Sequence, residues 1–320
     1  MTDEERDGVR LTSLDSPLGD GLDVTKRDLV EHLDTVADNL VPLLAGRPLS
    51  VLRVRPGQAP FMQKNVAKGA PDWVRTVAIW SAAAHREVHF VLCEDRRTLL
   101  WLANQRAVEY HVPFTRVGED TPTGLVLDLD PPEGAGFEQV VRAAGLVHRA
   151  LAEAGLVGAV KTSGAKGLHV VVPVRGAGGD DVAAATRALA ARTERLDPGL
   201  ATTAYLKEDR GGRVFVDSTR SGQGTIVAAY SPRARPGLPV STPVAWDELD
   251  DVRPADLTVT TARARLTDGD PWAAALPEPQ ELPADLVAEG HAIPIARVQA
   301  MHEGKRRARA RAAPDDQPGA

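Results

Sequence analysis

The sequence predicts an α+β protein, with a compact sheet carrying helices on one side in the second half and a smaller α/β module before it. Two observations predict this. Short apolar runs, Leu125–Asp130, Ala159–Thr162, His169–Val174 and Arg213–Asp217, alternate with two long segments of helical character, Phe137–Ala154 and Asp180–Leu196. Ahead of them, Leu29, Leu33, Val36, Leu40 and Leu43 recur at spacings of three and four, which sets one apolar face on a helix over Thr25–Ala45.

Taken in order, residues 1–10 read as a charged, flexible N-terminus. Asp23 or Thr25 supplies the cap of the first helix. Leu49–Arg55 and Val88–Cys93 read as strands, and Arg97–Val108 as a helix burying Leu99, Leu100, Leu102, Ala103 and Ala107. After the second-half elements named above, Thr225–Ala229 is a further strand of that sheet. Proline-rich punctuation at 232–243 and 276–283 separates the core from a C-terminal extension. From about residue 301 to 320 the hydrophobic pattern is lost and a flexible basic tail is expected, with the cluster Lys305 to Arg311. The domain layout is therefore one body over 11–300, made of a module at about 11–120, a core at about 121–250 and an extension at about 251–300.

Composition narrows the class without giving a function. The chain has 320 residues, 43% of them hydrophobic, enough to bury a core. Its apolar stretches are interrupted well before the roughly 18 residues of a membrane span, and its one cysteine, Cys93, excludes an intramolecular disulfide or a cysteine-based zinc site. A cytoplasmic, monomeric protein with no membrane contact is expected. The net charge of −6 argues against coating nucleic acid by bulk charge and leaves a localised basic groove open.

Three constellations carry chemistry. Asp128-Leu129-Asp130 closes an apolar strand, and the two-residue period of a strand sends both carboxylates to one face. Adjacent carboxylates repel unless a cation joins them, and hard oxygen donors favour Mg²⁺ or Mn²⁺. An isolated pair of this kind is equally a solvated strand end. Between two strands, Lys161-Thr-Ser-Gly-Ala-Lys-Gly-Leu-His169 offers two glycines that let backbone amides approach an anion, with Ser163, Lys166 and His169 as phosphate partners. A glycine-rich hairpin turn explains the same residues, and the glycine spacing is not that of a Walker A loop. Last, Asp217 ends the strand Val214–Asp217 and is followed by Arg220 and Arg233. A third carboxylate converging on the first two would complete a two-metal site, with the guanidinium groups neutralising a triphosphate.

In this order and at these separations, the three motifs resemble those of the archaeo-eukaryotic primase superfamily. The flanking segments Pro60–Val77, Thr98–Pro113 and Tyr230–Leu249 are similar to the polymerase domain of bacterial DNA ligase D and its stand-alone relatives, over roughly Leu11 to Leu249. The resemblance implies an RNA-recognition-motif-like catalytic sheet combined with an N-terminal α/β module. It implies a template-dependent nucleotidyltransferase that fills short gaps in bacterial DNA repair, prefers ribonucleotides and uses two Mn²⁺ or Mg²⁺ ions with NTP or dNTP. Asp128, Asp130 and Asp217 are then the metal ligands; Ser163, Lys166, His169, Arg220 and Arg233 contact phosphates; His111 lies near the sugar. Phe61 packs on the templating base, Arg53, Gln63, Lys64, Asn65 and Lys68 line the template path, and Lys26 holds a 5′-phosphate.

The departures are specific. Phe61-Met62 stands where two aromatics are usual, Ser16 replaces a lysine expected to grip the 5′-phosphate, and Ser218-Thr-Arg-Ser221 follows the third acid where an aromatic-Leu-Arg-Asn run is usual. The stretch from Asp217 to Gly237 is closer to stand-alone actinobacterial primase-polymerases associated with ligase C. No adenylation motif KxDG is present. The implied partners are gapped or broken DNA at the nucleoid, a separate ATP-dependent DNA ligase that seals, and Ku. The rival reading is a catalytically silent DNA-end-binding adaptor that recruits ligase or Ku.

Overall fold

The computed structural model describes residues 3–81, 85–222, 224–266 and 269–295. The strands are β1 (Glu4–Arg6), β2 (Val9–Leu11), β3 (Ser50–Arg55), β4 (Gln58–Gln63), β5 (Thr76–Ser81), β6 (Arg86–Val91), β7 (Ala107–Pro113), β8 (Gly124–Asp130), β9 (Ala159–Thr162), β10 (Leu168–Pro173), β11 (Ala201–Thr202), β12 (Val214–Asp217), β13 (Thr225–Val227) and β14 (Pro243–Val244). The α-helices are α1 (Lys26–Thr35), α2 (Ala37–Leu44), α3 (Arg96–Asn104), α4 (Phe137–Glu153), α5 (Gly179–Leu196), α6 (Pro271–Ala275) and α7 (Ala284–Ala292).

The second half builds the six-stranded sheet β11-β12-β8-β10-β9-β14. Its centre follows the chain order β8-α4-β9-β10-α5-β12 with spatial order fourth, first, third, second, the split βαβ arrangement expected of an RNA-recognition-motif-like sheet. Alternation along the strands divides the faces. Leu125, Leu127 and Leu129 of β8, Val160 of β9, Val170 and Val172 of β10, and Val214 and Val216 of β12 pack with α4 and α5 in one core. Val126, Ala159 and Val171 point the other way, into a second core shared with the first half. The polar residues in phase with that second set, Asp128, Asp130, Lys161, His169 and Asp217, therefore share the face turned away from the helices.

The first half builds the four-stranded sheet β13-β7-β3-β4, with β5 and β6 as a separate hairpin. Thr225–Val227 thus joins the first module, pairing with β7, rather than the six-stranded sheet as the sequence suggested. Three further expectations are corrected. The stretch before residue 11 is the hairpin β1-β2, turning at Asp7 and Gly8, both with φ in the left-handed region, and pinned by Arg6 to Glu4 and Asp34. The helix over Thr25–Ala45 is two helices meeting at Val36, whose φ of −91° and ψ of 5° interrupt the turn pattern while Leu29, Leu33, Leu40 and Leu44 stay buried. The helix over Arg97–Val108 ends at Asn104; Arg106, at φ 60°, reverses the chain, so Ala107 opens β7 instead. β4, β5, β11, β14, α6 and α7 had no counterpart in the sequence reading, while β8, α4, β9, β10, α5, β12 and β13 match it within one or two residues. The basic tail 301–320 lies outside the described residues. No described helix is long and apolar enough to cross a membrane.

Candidate active site

The antiparallel register of β8 against β12 sets Asp217 directly across from Asp128, and the register of β8 against β10 sets His169 across from Asp128 on its other side. Strand periodicity adds Asp130 two residues along the same face. A cavity of about 220 Å³ opens there, lined by Asp128, Asp130, Pro131, Ser163, Ala165, Lys166, His169, Arg220, Arg233 and Arg235. Larger cavities, of about 500 and 290 Å³, lie against α5 beyond the Ser218–Gly222 turn. The smaller one is the candidate site because its lining alone pairs the strand carboxylates with a ring of cations. Asp217 is buried behind it, 6% exposed.

The loop between β9 and β10 is shaped by its glycines. Gly164 adopts φ 68°, and a Cβ there would stand 2.6 Å from Arg233 Cγ; a Cβ on Gly167 would stand 2.2 Å from the Leu129 carbonyl oxygen. The loop can therefore lie directly on the end of β8. Ser163 Oγ accepts from the Gly167 and Ala165 amides, which organises the turn and leaves its hydroxyl proton to donate. Lys166 stands exposed at the rim.

Electrostatics separates the acids. Burial pushes the Asp128 carboxyl up, but the charge and hydrogen bond of His169, with the charges of Arg220 and Lys161, outweigh it and hold the group below its ordinary value. Asp130 goes the other way, raised by desolvation and by the negative charge of Asp128. Arg220 Nε lies 3.8 Å from Asp128 Oδ2 and 3.5 Å from Asp217 Oδ2, so a guanidinium bridges these carboxylates. Among the described residues no three His, Cys, Asp or Glu side chains form a cluster ready to hold an ion. The donor set, carboxylate oxygens bridged by a cation, nevertheless has the chemistry of a divalent-metal site.

Several working groups escaped the sequence reading. Lys161, 2% exposed, donates from Nζ to Ser241 Oγ at 2.6 Å and pairs with His169 Nδ1 at 2.8 Å; burial drives its amine well below the ordinary lysine value. His169 itself is lowered to about 4 by burial and by Lys161, while its Nε2 faces Asp128 Oδ1 at 3.3 Å. Glu109, on β7, accepts from His111 Nε2 at 2.8 Å and forms an ion pair with Arg233, whose Nε lies 3.1 Å away without making a hydrogen bond. Burial pushes its carboxyl up, yet the His111 hydrogen bond, the Arg233 charge and the Ala234 amide hold it down to about 2. Arg235 completes the cationic lining, and Arg210 stacks on Phe215 at 3.8 Å. Arg235, two residues beyond Arg233, was legible as a second guanidinium, and Glu109 as the strand neighbour of His111; Lys161 carried no local signal of its burial.

The expected nucleic-acid residues divide. Phe61, Lys64 and Lys68 are exposed, with Arg53 and Arg55 each within 6 Å of the Phe61 ring, at 5.7 and 5.6 Å. Arg53 is only 6% exposed and donates to Gln105 and Gln63, while Gln63 donates to the Asn65 carbonyl and Asn65 accepts from the His89 amide. These three brace β4 against its neighbours rather than forming an open track. Lys26, 3% exposed, donates to the Thr12 carbonyl and Asn104 Oδ1, both at 2.6 Å, so its amine is spent inside the fold rather than presented as expected. Met62, Ile79 and Trp80 add exposed apolar surface on β4 and β5 that the sequence reading did not assign.

The family model described as the LigD primase-polymerase domain matches residues 25–272. The chain belongs to the LigD primase-polymerase domain family. It is 36% identical over 283 residues to the multifunctional non-homologous end joining protein LigD of Mycobacterium bovis, covering 82% of this chain and 36% of that protein. The bifunctional LigD of Bacillus subtilis is 32% identical over 286 residues, 87% of this chain and 46% of that one. This chain therefore spans between about a third and a half of the curated relatives it matches. Among solved structures, the polymerase domain of Mycobacterium tuberculosis ligase D in complex with DNA superposes with a TM-score of 0.76 at 35% identity, covering 85% of this chain and 98% of that one. Membership of the LigD primase-polymerase family makes this a nucleotidyltransferase domain, a class that works on nucleoside triphosphates with a divalent metal.

Proposed function

We propose that this chain is a template-dependent nucleotidyltransferase that fills short gaps at DNA breaks, inserting ribonucleotides readily, with sealing by a separate ATP-dependent DNA ligase and with Ku at the end. The observation that carries it is the register of β8, β10 and β12. It gathers Asp128, Asp130, Asp217 and His169 on one sheet face beneath the cationic group of Lys166, Arg220, Arg233 and Arg235. Acids for metal and cations for phosphate on one small cavity are what phosphoryl chemistry on a triphosphate uses.

Asp128, Asp130 and Asp217 would hold the divalent ions, two per site and Mn²⁺ by preference. When bound, the metal supplies charge neutralisation and activation of the primer 3′-hydroxyl. Arg220, within 4 Å of both Asp128 and Asp217, would also be in reach of a triphosphate held at these acids. Ser163 and Lys166 grip phosphate oxygens, His169 donates from Nε2, and Arg233 neutralises the departing pyrophosphate. His111 lies beside the sugar. Phe61, flanked by Arg53 and Arg55, stacks on the template, with Lys64 and Lys68 on its backbone.

Primer extension on a gapped duplex, with NTP or dNTP and with Mn²⁺ or Mg²⁺, tests the reading. The doubly substituted Asp128→Ala, Asp130→Ala protein is expected to lose at least about 1000-fold in extension, the scale of removing a central electrostatic element, while still binding the DNA. Extension retained by that protein would sink the proposal. Binding without any extension by the native chain would leave an end-binding adaptor.

A further inference from the structure

Glu109 is a buried carboxylate with two hydrogen-bond donors and one ion-pair partner. Oε1 accepts the Ala234 amide at 3.0 Å; Oε2 faces His111 Nε2 at 2.8 Å and Arg233 Nε at 3.1 Å. Arg233 continues the chain, donating from Nη1 to the Ser163 carbonyl at 2.7 Å, so the loop carrying Ser163 and Lys166 is tied through it to β7. Because i and i+2 on a strand share a face, Glu109 reaches its own neighbour His111 without distortion. A carboxylate offers only lone pairs, so Nε2 of His111 must carry the proton that is shared with it. In the neutral ring that leaves Nδ1 as an acceptor with no proton of its own.

We propose that Glu109 is a positioning residue that fixes His111 with Nδ1 as a hydrogen-bond acceptor, so that the site selects a nucleotide whose sugar carries a donating hydroxyl, and that the same carboxylate holds Arg233 for the phosphates. This rests on the proposed function, which sets His111 beside the sugar. One carboxylate thereby couples recognition of sugar and of triphosphate. Its loss has two separable effects: a rise in KM for every nucleotide through Arg233, and a fall in the preference between sugars through His111.

Single-nucleotide insertion by the full chain with NTP, dNTP and 2′-fluoro-dNTP tests it, since fluorine occupies the 2′ position without donating. Wild type is expected to treat the 2′-fluoro nucleotide like dNTP. In Glu109→Gln the amide can donate to Nε2 and reverse the tautomer, and the NTP preference should fall about tenfold, the worth of roughly one hydrogen bond. His111→Ala should lower it similarly, and the double variant no further. A Glu109→Gln protein that keeps the wild-type preference, a 2′-fluoro nucleotide used as well as NTP, or a double variant that loses the product of both effects overturns the proposal. Nitrogen-15 NMR of the His111 ring in the wild-type protein at pH 8 needs neither catalysis nor a stable variant. Protonated Nε2 with bare Nδ1 is expected, and any other form overturns the assignment. A native chain that extends no primer refutes the polymerase reading, and the ring tautomer still decides the role of Glu109.

Discussion

Gly167 shows how a single missing side chain sets the site. A Cβ there would stand 2.2 Å from a backbone oxygen of β8, an atom that cannot swing away, so the loop would have to lift off the strand bearing Asp128. Gly167→Ala is expected to cost about 2 kcal/mol in urea unfolding, the range for overpacking, and to lower extension by more than the stability loss explains, because Ser163 and Lys166 move with the loop. Undiminished kinetics would show that the loop tolerates displacement. At this scale much was legible: the three acids, the glycines, Ser163, Lys166, His169, Arg220 and Arg233 stand in recognisable motifs. Lys161, Ser241 and the tie of Glu109 to Arg233 did not announce themselves, because Lys161 and His169 lie 8 residues apart, Ser241 and Lys161 80, and Glu109 and Arg233 124, and only the folded register brings each pair together.

Element boundaries follow local chemistry where caps are present. Thr25 and Asp28 exchange backbone and side-chain hydrogen bonds in a capping box that starts α1, a signal readable from residue types alone. The end of α3 had no such marker: Arg106 adopts the left-handed region without being glycine, and the apolar run through Val108 continued the helical pattern into what is β7. Helix–helix contact is decided by a small residue as well. A Cβ on Gly290 of α7 would stand 1.8 Å from the Ala184 carbonyl oxygen of α5, so only glycine allows that crossing. Gly290→Ala is expected to release α7 at a cost of about 2 kcal/mol, read as faster amide exchange across 284–292 with the rest of the protein unchanged. Exchange in α7 equal to wild type would mean that the helices re-seat without loss.

Across the molecule, the join between the N-terminal hairpin, α1 and α3 rests on the buried amine of Lys26. Burial, reinforced by Arg106, lowers it from 10.5 to about 8. Between those values the unfolded chain binds the extra proton, so this group makes the fold more stable as pH rises through the window. The gain is expected to reach roughly 3 kcal/mol at most, and Lys26→Met should remove it, a comparison that chemical unfolding at pH 7.5 and pH 10 would settle; an unchanged slope would show that the amine is solvated. The sequence by itself determined the order β8-α4-β9-β10-α5-β12, the three acids and the glycine loop between β9 and β10 as candidate site residues, and the family they resemble. These are local, encoded in period, turn chemistry and adjacent motifs. Which sheet β13 joins, that residues 4–11 form a hairpin, that Lys26 and Arg53 turn inward, and that Glu109 ties His111 to Arg233 were decided only by the tertiary structure. A buried polar group must find its partner wherever the fold places one, and no spacing along the chain records that place.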